Sequence, residues 1–122
     1  MSLCLAAGAL AVSLGQSEIT LSWHHSVQKT LWEEVWRETP AGLEIVEARI
    51  EGSGAGMDPP EDAKLIDGFW RWRPAVPPLK EVVMRRSGAT ADWRICGAGQ
   101  CRPLGDYMPA EADPVMLRIC EQ

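Results

Sequence analysis

Ile19, Leu21 and Trp23 recur at every second position, and Thr20 and Ser22 fill the places between them. This is the alternation of a half-buried strand, and it predicts one over Glu18 to Val27. The next segment, Thr30 to Thr39 (TLWEEVWRET), fits two templates. Leu31 with Val35 and Trp32 with Trp36 keep helical spacing. A strand instead places Leu31, Glu33 and Val35 on one face and Trp32, Glu34 and Trp36 on the other. A turn follows at Pro40-Ala41-Gly42, and the neighbours are short and strand-like, so a strand in an antiparallel meander is the consistent choice. Leu43 to Glu51 carries apolar residues of both parities, Ile45 and then Val46, Ala48 and Ile50. A bulge near Ile45 reconciles them.

The same pattern covers most of the remaining chain. Leu3 and Leu5, then Leu10, Val12 and Leu14, alternate on either side of Ala7-Gly8-Ala9, which predicts a hairpin whose turn uses the positive φ open to Gly8. Phe69 to Arg73, Lys80 to Arg86 and Val115 to Ile119 read as further strands. Asp92 to Cys96 and Gln100 to Leu104 form a hairpin around Gly97-Ala98-Gly99. Gly52 to Pro60 joins three glycines to an Asp-Pro-Pro stop and reads as a long loop. Turn signals recur every eight to twelve residues or so, and no segment sustains an amphipathic helix. The expectation is one all-β domain spanning residues 1–122, an antiparallel sandwich, immunoglobulin-like or small and barrel-like, with little or no helix.

Composition narrows the function classes. With 12 basic and 17 acidic side chains the formal charge is 12 − 17 = −5, which argues against a nucleic-acid partner. The apolar start, Leu3 to Leu14, resembles an export signal in length but has no preceding Lys or Arg, the first cation being Lys29. It is too short to cross about 30 Å of hydrocarbon. The segment is therefore expected to belong to the fold, with no direct membrane insertion. Six of the eight aromatics are Trp. They read as core filling in a domain with almost no Phe or Tyr, the alternative being a stacking surface for a ligand.

The polar cluster His24, His25, Ser26, Thr30, Glu33 and Glu34 is the densest chemistry in the chain. Adjacent strand residues point to opposite faces, so His25 falls on the Trp23 side and His24 with Ser22. His25 with Glu33 or Glu34 would make a structural hydrogen bond or, as the functional alternative, a metal-dependent or acid–base pair. With two histidines there is no spaced set of metal ligands, and Ser26 beside His25 cannot form a hydrolase dyad. No metal, cofactor or catalytic residue is assigned. Gly54, Gly56 and Met57 lie in a glycine loop that fits no phosphate-binding motif. Cys96 and Cys101 flank the second hairpin turn, within disulfide range if the compartment is oxidising. Cys4 and Cys120 have only their places in the terminal strands in common.

The string HSVQKTLWEE after ITLSW, with GSGAGM and later RSGATADWRIC, resembles a small bacterial family of unknown function whose genes often lie beside those of TAXI-type tripartite ATP-independent periplasmic (TRAP) transporters. In the family pattern an aromatic precedes His-Ser-Val by one residue, and Thr, Glu and a Gly-Ala-Gly-Met loop follow. Trp23, His25, Ser26, Val27, Thr30, Glu33, Glu34, Gly54, Ala55, Gly56 and Met57 occupy it here. The resemblance implies a non-catalytic accessory or binding protein on the extracytoplasmic, periplasmic side, with a membrane or solute-receptor component of a TRAP-type transporter as partner. It further implies that His25, Ser26, Thr30, Glu33, Glu34, Gly54, Gly56 and Met57 form the binding segments.

Overall fold

A computed structural model describes residues 2–24, 30–52, 60–86 and 91–120 of the chain. Its strands are β1 (Leu3–Ala7), β2 (Leu10–Ser13), β3 (Glu18–His24), β4 (Leu31–Thr39), β5 (Gly42–Glu51), β6 (Lys64–Ile66), β7 (Phe69–Trp72), β8 (Glu81–Met84), β9 (Arg94–Gly97), β10 (Gln100–Pro103) and β11 (Val115–Ile119). They form a four-stranded sheet in the order β2-β1-β11-β8 and a seven-stranded sheet in the order β10-β9-β3-β4-β5-β7-β6. The two antiparallel sheets do not close into a barrel, so the all-β sandwich reading holds. The helical content among the described residues is a single 3-10 turn, Leu104–Asp106.

Alternation explains why these segments pair as they do. In the first hairpin Leu5 lies opposite Val12 and Ala7 opposite Leu10, with Gly8 at φ 58° in the turn. Leu3 and Leu5 are fully buried, so the apolar start of the chain is one wall of the core. β4 is a strand throughout, its residues registered against both β3 and β5. Along β5 the register shifts opposite Val35 and Trp36: Val35 faces Glu47 while Trp36 faces Ile45. Val46 is therefore the extra residue, and the bulge switches the buried set from Leu43 and Ile45 to Ala48 and Ile50. The tripeptide β6 escapes sequence reading because all three of its residues are exposed, leaving no buried alternation to detect.

The core is aliphatic. Leu3, Leu5, Ile19, Leu21, Leu43, Ile45, Ile95, Val115 and Leu117 pack with Met84, Leu104 and Met108 in one cluster. The tryptophans contribute to the core mainly at its margin: Trp36 is buried in the cluster, Trp23, Trp72 and Trp93 are half-buried and pack against it, and Trp32 and Trp70 are half-buried. Each ring carries an N–H that needs a partner, which suits it to a position with one edge buried and the other wet.

Two links bind the sheets. Leu3 N–H donates to the Gln16 carbonyl at 2.7 Å. Leu79, just ahead of β8, forms a two-way backbone bridge with Leu43 of β5 at 2.7 and 2.9 Å. Gly42, beside that bridge, has φ 129°, and a Cβ there would lie 2.8 Å from the Leu79 carbonyl oxygen. Within the smaller sheet the first and last strands are joined: β1 pairs with β11, Cys120 N–H donates to the Ser2 carbonyl at 2.8 Å, and Cys4 is disulfide-bonded to Cys120. The expected Cys96–Cys101 disulfide is present across the β9–β10 register.

Two predictions follow from these links. Gly42→Ala should lower stability by about 1–3 kcal/mol in a denaturant titration, from backbone strain at positive φ and the close carbonyl. The disulfides should contribute unequally, because they span 116 and 5 residues. The chain-entropy relation gives about 5 kcal/mol for the first and about 2 kcal/mol for the second. Replacing Cys4 and Cys120 by Ser should therefore cost more in guanidinium unfolding than replacing Cys96 and Cys101, and equal losses would contradict the entropic account.

Candidate functional site

The inner face of the seven-stranded sheet carries three cross-strand rows. At one end Ile19, Trp36 and Ile45 lie side by side, each under 5 % exposed. The middle row is Leu21, Glu34, Ala48 and Trp72. The far row is Trp23, Trp32, Ile50, Trp70 and Leu65. Burial fades along and across the rows: Ile50 is sealed, the three tryptophans of the far row are half-buried, and Leu65 at the sheet edge is 56 % exposed.

The far row is braced from the next strand. Trp23 stacks on Trp32 with centroids 6.1 Å apart, and Trp93, just ahead of β9, lies tilted against Trp23 at 4.8 Å. Trp93 Nε1–H donates to the Arg85 carbonyl at 2.8 Å. Its neighbour Asp92 accepts two bonds from the Arg86 guanidinium, at 3.2 and 2.7 Å, and the Arg86 side chain is only 8 % exposed. A two-pronged pair of this kind holds orientation as well as charge. Arg86 Nη1 also donates to the Ala112 carbonyl at 3.0 Å, tying the segment ahead of β11 to this end.

Glu34 is a carboxyl group on this apolar face. One of its oxygens accepts the Trp36 indole N–H at 3.2 Å. Burial pushes its pKa above the ordinary 4.5, and the Trp36 bond opposes part of that rise. A carboxyl in such surroundings has its charge disfavoured and is placed to receive a cationic or hydrogen-bonding group.

Glu33 points the other way. Its Oε1 accepts from Arg49 Nε at 3.1 Å, Arg49 also pairs with Glu47 at 2.9 Å, and Arg71 reaches Glu47 at 3.3 Å. This ladder crosses β4, β5 and β7 on the outer face, so Glu33 and Glu34 do not converge. Thr30 is buried at 4 % exposure just ahead of β4. The adjacent Leu31 N–H donates to a Glu51 carboxylate oxygen at 2.7 Å, which pins the start of β4 to the end of β5. Gly52 N–H donates to the Gly68 carbonyl at 2.8 Å, and a Cβ on Gly52 would meet Leu65 at 2.9 Å. Of the other expected site residues, His25, Ser26, Gly54, Gly56 and Met57 lie outside the described residues. Among the described residues no group of three or more His, Cys, Asp or Glu side chains is arranged to hold a metal ion.

Sequence reasoning did not single out Trp93, Glu51, Asp92 or Arg86 for this end. Trp93 was accessible to it, because Trp93 and Ile95 share one parity of β9. The bonds of Arg86 to Ala112 and of Glu51 to Leu31 span 26 and 20 residues and leave no local pattern.

The fold and site define a small, disulfide-crosslinked antiparallel sandwich whose larger sheet opens at a tryptophan-lined end. The family described as domain of unknown function (DUF1850) matches residues 19–104, more than half of the chain, and the chain belongs to that family. The match runs from β3 to the residue after β10 and so takes in the whole seven-stranded sheet. No curated protein and no solved structure matches the chain.

Glu34 provides a test of how the site is held. A carboxyl whose pKa is raised on folding contributes fully below its unfolded value, and that contribution is lost as the pH rises through the folded value. Glu34→Gln keeps an oxygen for the Trp36 bond and removes the charge. It should melt higher than the parent protein at pH 7 and no higher at pH 4. An equal gain at both pH values would mean that Glu34 is not held against its charge.

Proposed function

We propose that the protein is a non-catalytic accessory or binding module that works outside the cytoplasm with a TRAP-type uptake system of the TAXI class, its partner a membrane or solute-receptor component. The observation that carries this reading is the half-exposed row Trp23, Trp32 and Trp70 at the open end of the larger sheet, with Glu34 in the row behind. Tryptophan is the residue most concentrated at binding hot spots, because a rigid ring covers a large area at little cost in side-chain freedom. The two disulfides support an extracytoplasmic setting, where such bonds persist. The gene-neighbourhood resemblance supplies the identity of the transport system.

Co-purification of the chain with the transporter's membrane and receptor components, with and without solute, tests the association directly. Trp32→Ala and Trp70→Ala should each weaken it by roughly tenfold or more while the melting transition stays cooperative, and Val76→Ala, on an exposed side chain, should leave it unchanged. Failure to associate under every solute condition would sink the accessory role. Association unaffected by either tryptophan would move the contact off this end.

A further inference from the structure

The two disulfides differ in their surroundings. Cys4 and Cys120 are both half-buried, and their bond joins the first and last strands, 116 residues apart. Cys101 is exposed on the edge strand β10, Cys96 is half-buried on β9, and their bond joins directly opposed residues only 5 apart. All four residues of β10 are exposed, and β9 is its sole neighbour in the sheet. Beside this pair runs an open groove of about 510 Å³, walled by Gly15 to Thr20 on one side and by Cys96, Gly97 and Ala98 on the other. Arg94, two residues before Cys96 on the same face of β9, reaches the Cys101 carbonyl at 3.5 Å.

We propose that Cys96–Cys101 is a thiol–disulfide exchange site, reduced in the folded protein by a dithiol oxidoreductase whose active-site segment lies along the exposed edge strand β10, while Cys4–Cys120 remains a structural crosslink. The attacking thiolate forms a bond to Sγ of Cys101, the exposed sulfur. The Sγ–Sγ bond breaks and its electron pair leaves on Cys96. The second thiol of the oxidoreductase then attacks its own sulfur in the mixed disulfide and releases Cys101. The net change is one dithiol oxidised to a disulfide and one disulfide reduced to two thiols, with two protons passed across.

Linkage explains the selectivity. A crosslink that stabilises the fold is itself stabilised by the fold to the same extent, and the 116-residue closure constrains the unfolded chain far more than the 5-residue one. The shorter bond is therefore the more readily reduced and the more accessible target, since exposed disulfides are the labile ones. After its reduction the larger sheet keeps the β9–β3 pairing of Thr20 with Cys96, so the fold persists.

The test uses the intact oxidised chain. It is incubated under native conditions with a thioredoxin-type protein carrying both active-site cysteines, and thiols are alkylated at intervals and located by peptide mass spectrometry. Cys96 and Cys101 should be alkylated at least tenfold faster than Cys4 and Cys120, with the far-ultraviolet circular dichroism unchanged. Repeating the reaction with a thioredoxin-type protein lacking its second cysteine should trap a mixed disulfide on Cys101. Equal rates for the two bonds, earlier reduction of Cys4–Cys120, reduction only where the fold is lost, or trapping on Cys96 would each overturn the proposal.

Discussion

Four strands are laid against seven, and burial on the inner face of the larger sheet falls from Ile19, Trp36 and Ile45 toward the exposed Leu65 at its edge. Where the layers meet, Ile19, Ile45, Leu21, Leu5 and Leu117 interleave and exclude water. Toward the far row and the β6 edge the covering thins, and the side chains change from aliphatic to indole. Tryptophan tolerates a boundary position because one edge of the ring can be buried while the other stays wet. The carboxyl of Glu34 lies one row in from that boundary, which is why its charge is disfavoured without being sealed off.

The parity of three strands sets this arrangement. β4 must present Trp32, Glu34 and Trp36 inward, and its outward set then supplies Glu33 to the Arg49–Glu47–Arg71 ladder. The bulge at Val46 lets β5 follow both halves of β4, so Leu43 and Ile45 serve the sealed end while Ala48 and Ile50 serve the open one. Without the extra residue, one half of β5 would turn its apolar side chains to solvent.

Much of this was legible in the sequence. The alternation of Ile19, Leu21 and Trp23, the two parities of Leu43 to Glu51 and the Gly-Ala-Gly turn between Cys96 and Cys101 are local signals, and each produced the element it indicates. The pairing of Cys4 with Cys120 was not legible, because it depends on β1 and β11 meeting from opposite ends of the chain. The place of most tryptophans at the margin of the core was not legible for a similar reason. Composition counts rings but carries no information on how far one sheet extends beyond another. The candidate site was legible only in part: strand alternation separates Glu33 from Glu34, but the packing of Trp93 on Trp23 and the bond of Arg86 to Ala112 join segments distant in sequence.

The pairing of β1 with β11 gives the molecule a polarity. Residues 2 and 120 meet through a backbone hydrogen bond, and Leu3 in turn contacts Gln16, just ahead of the start of β3. Trp23 and Trp32 stand at the finish of β3, at its opposite tip. Residues 2 and 120 therefore share the pole that faces away from this stacked indole pair.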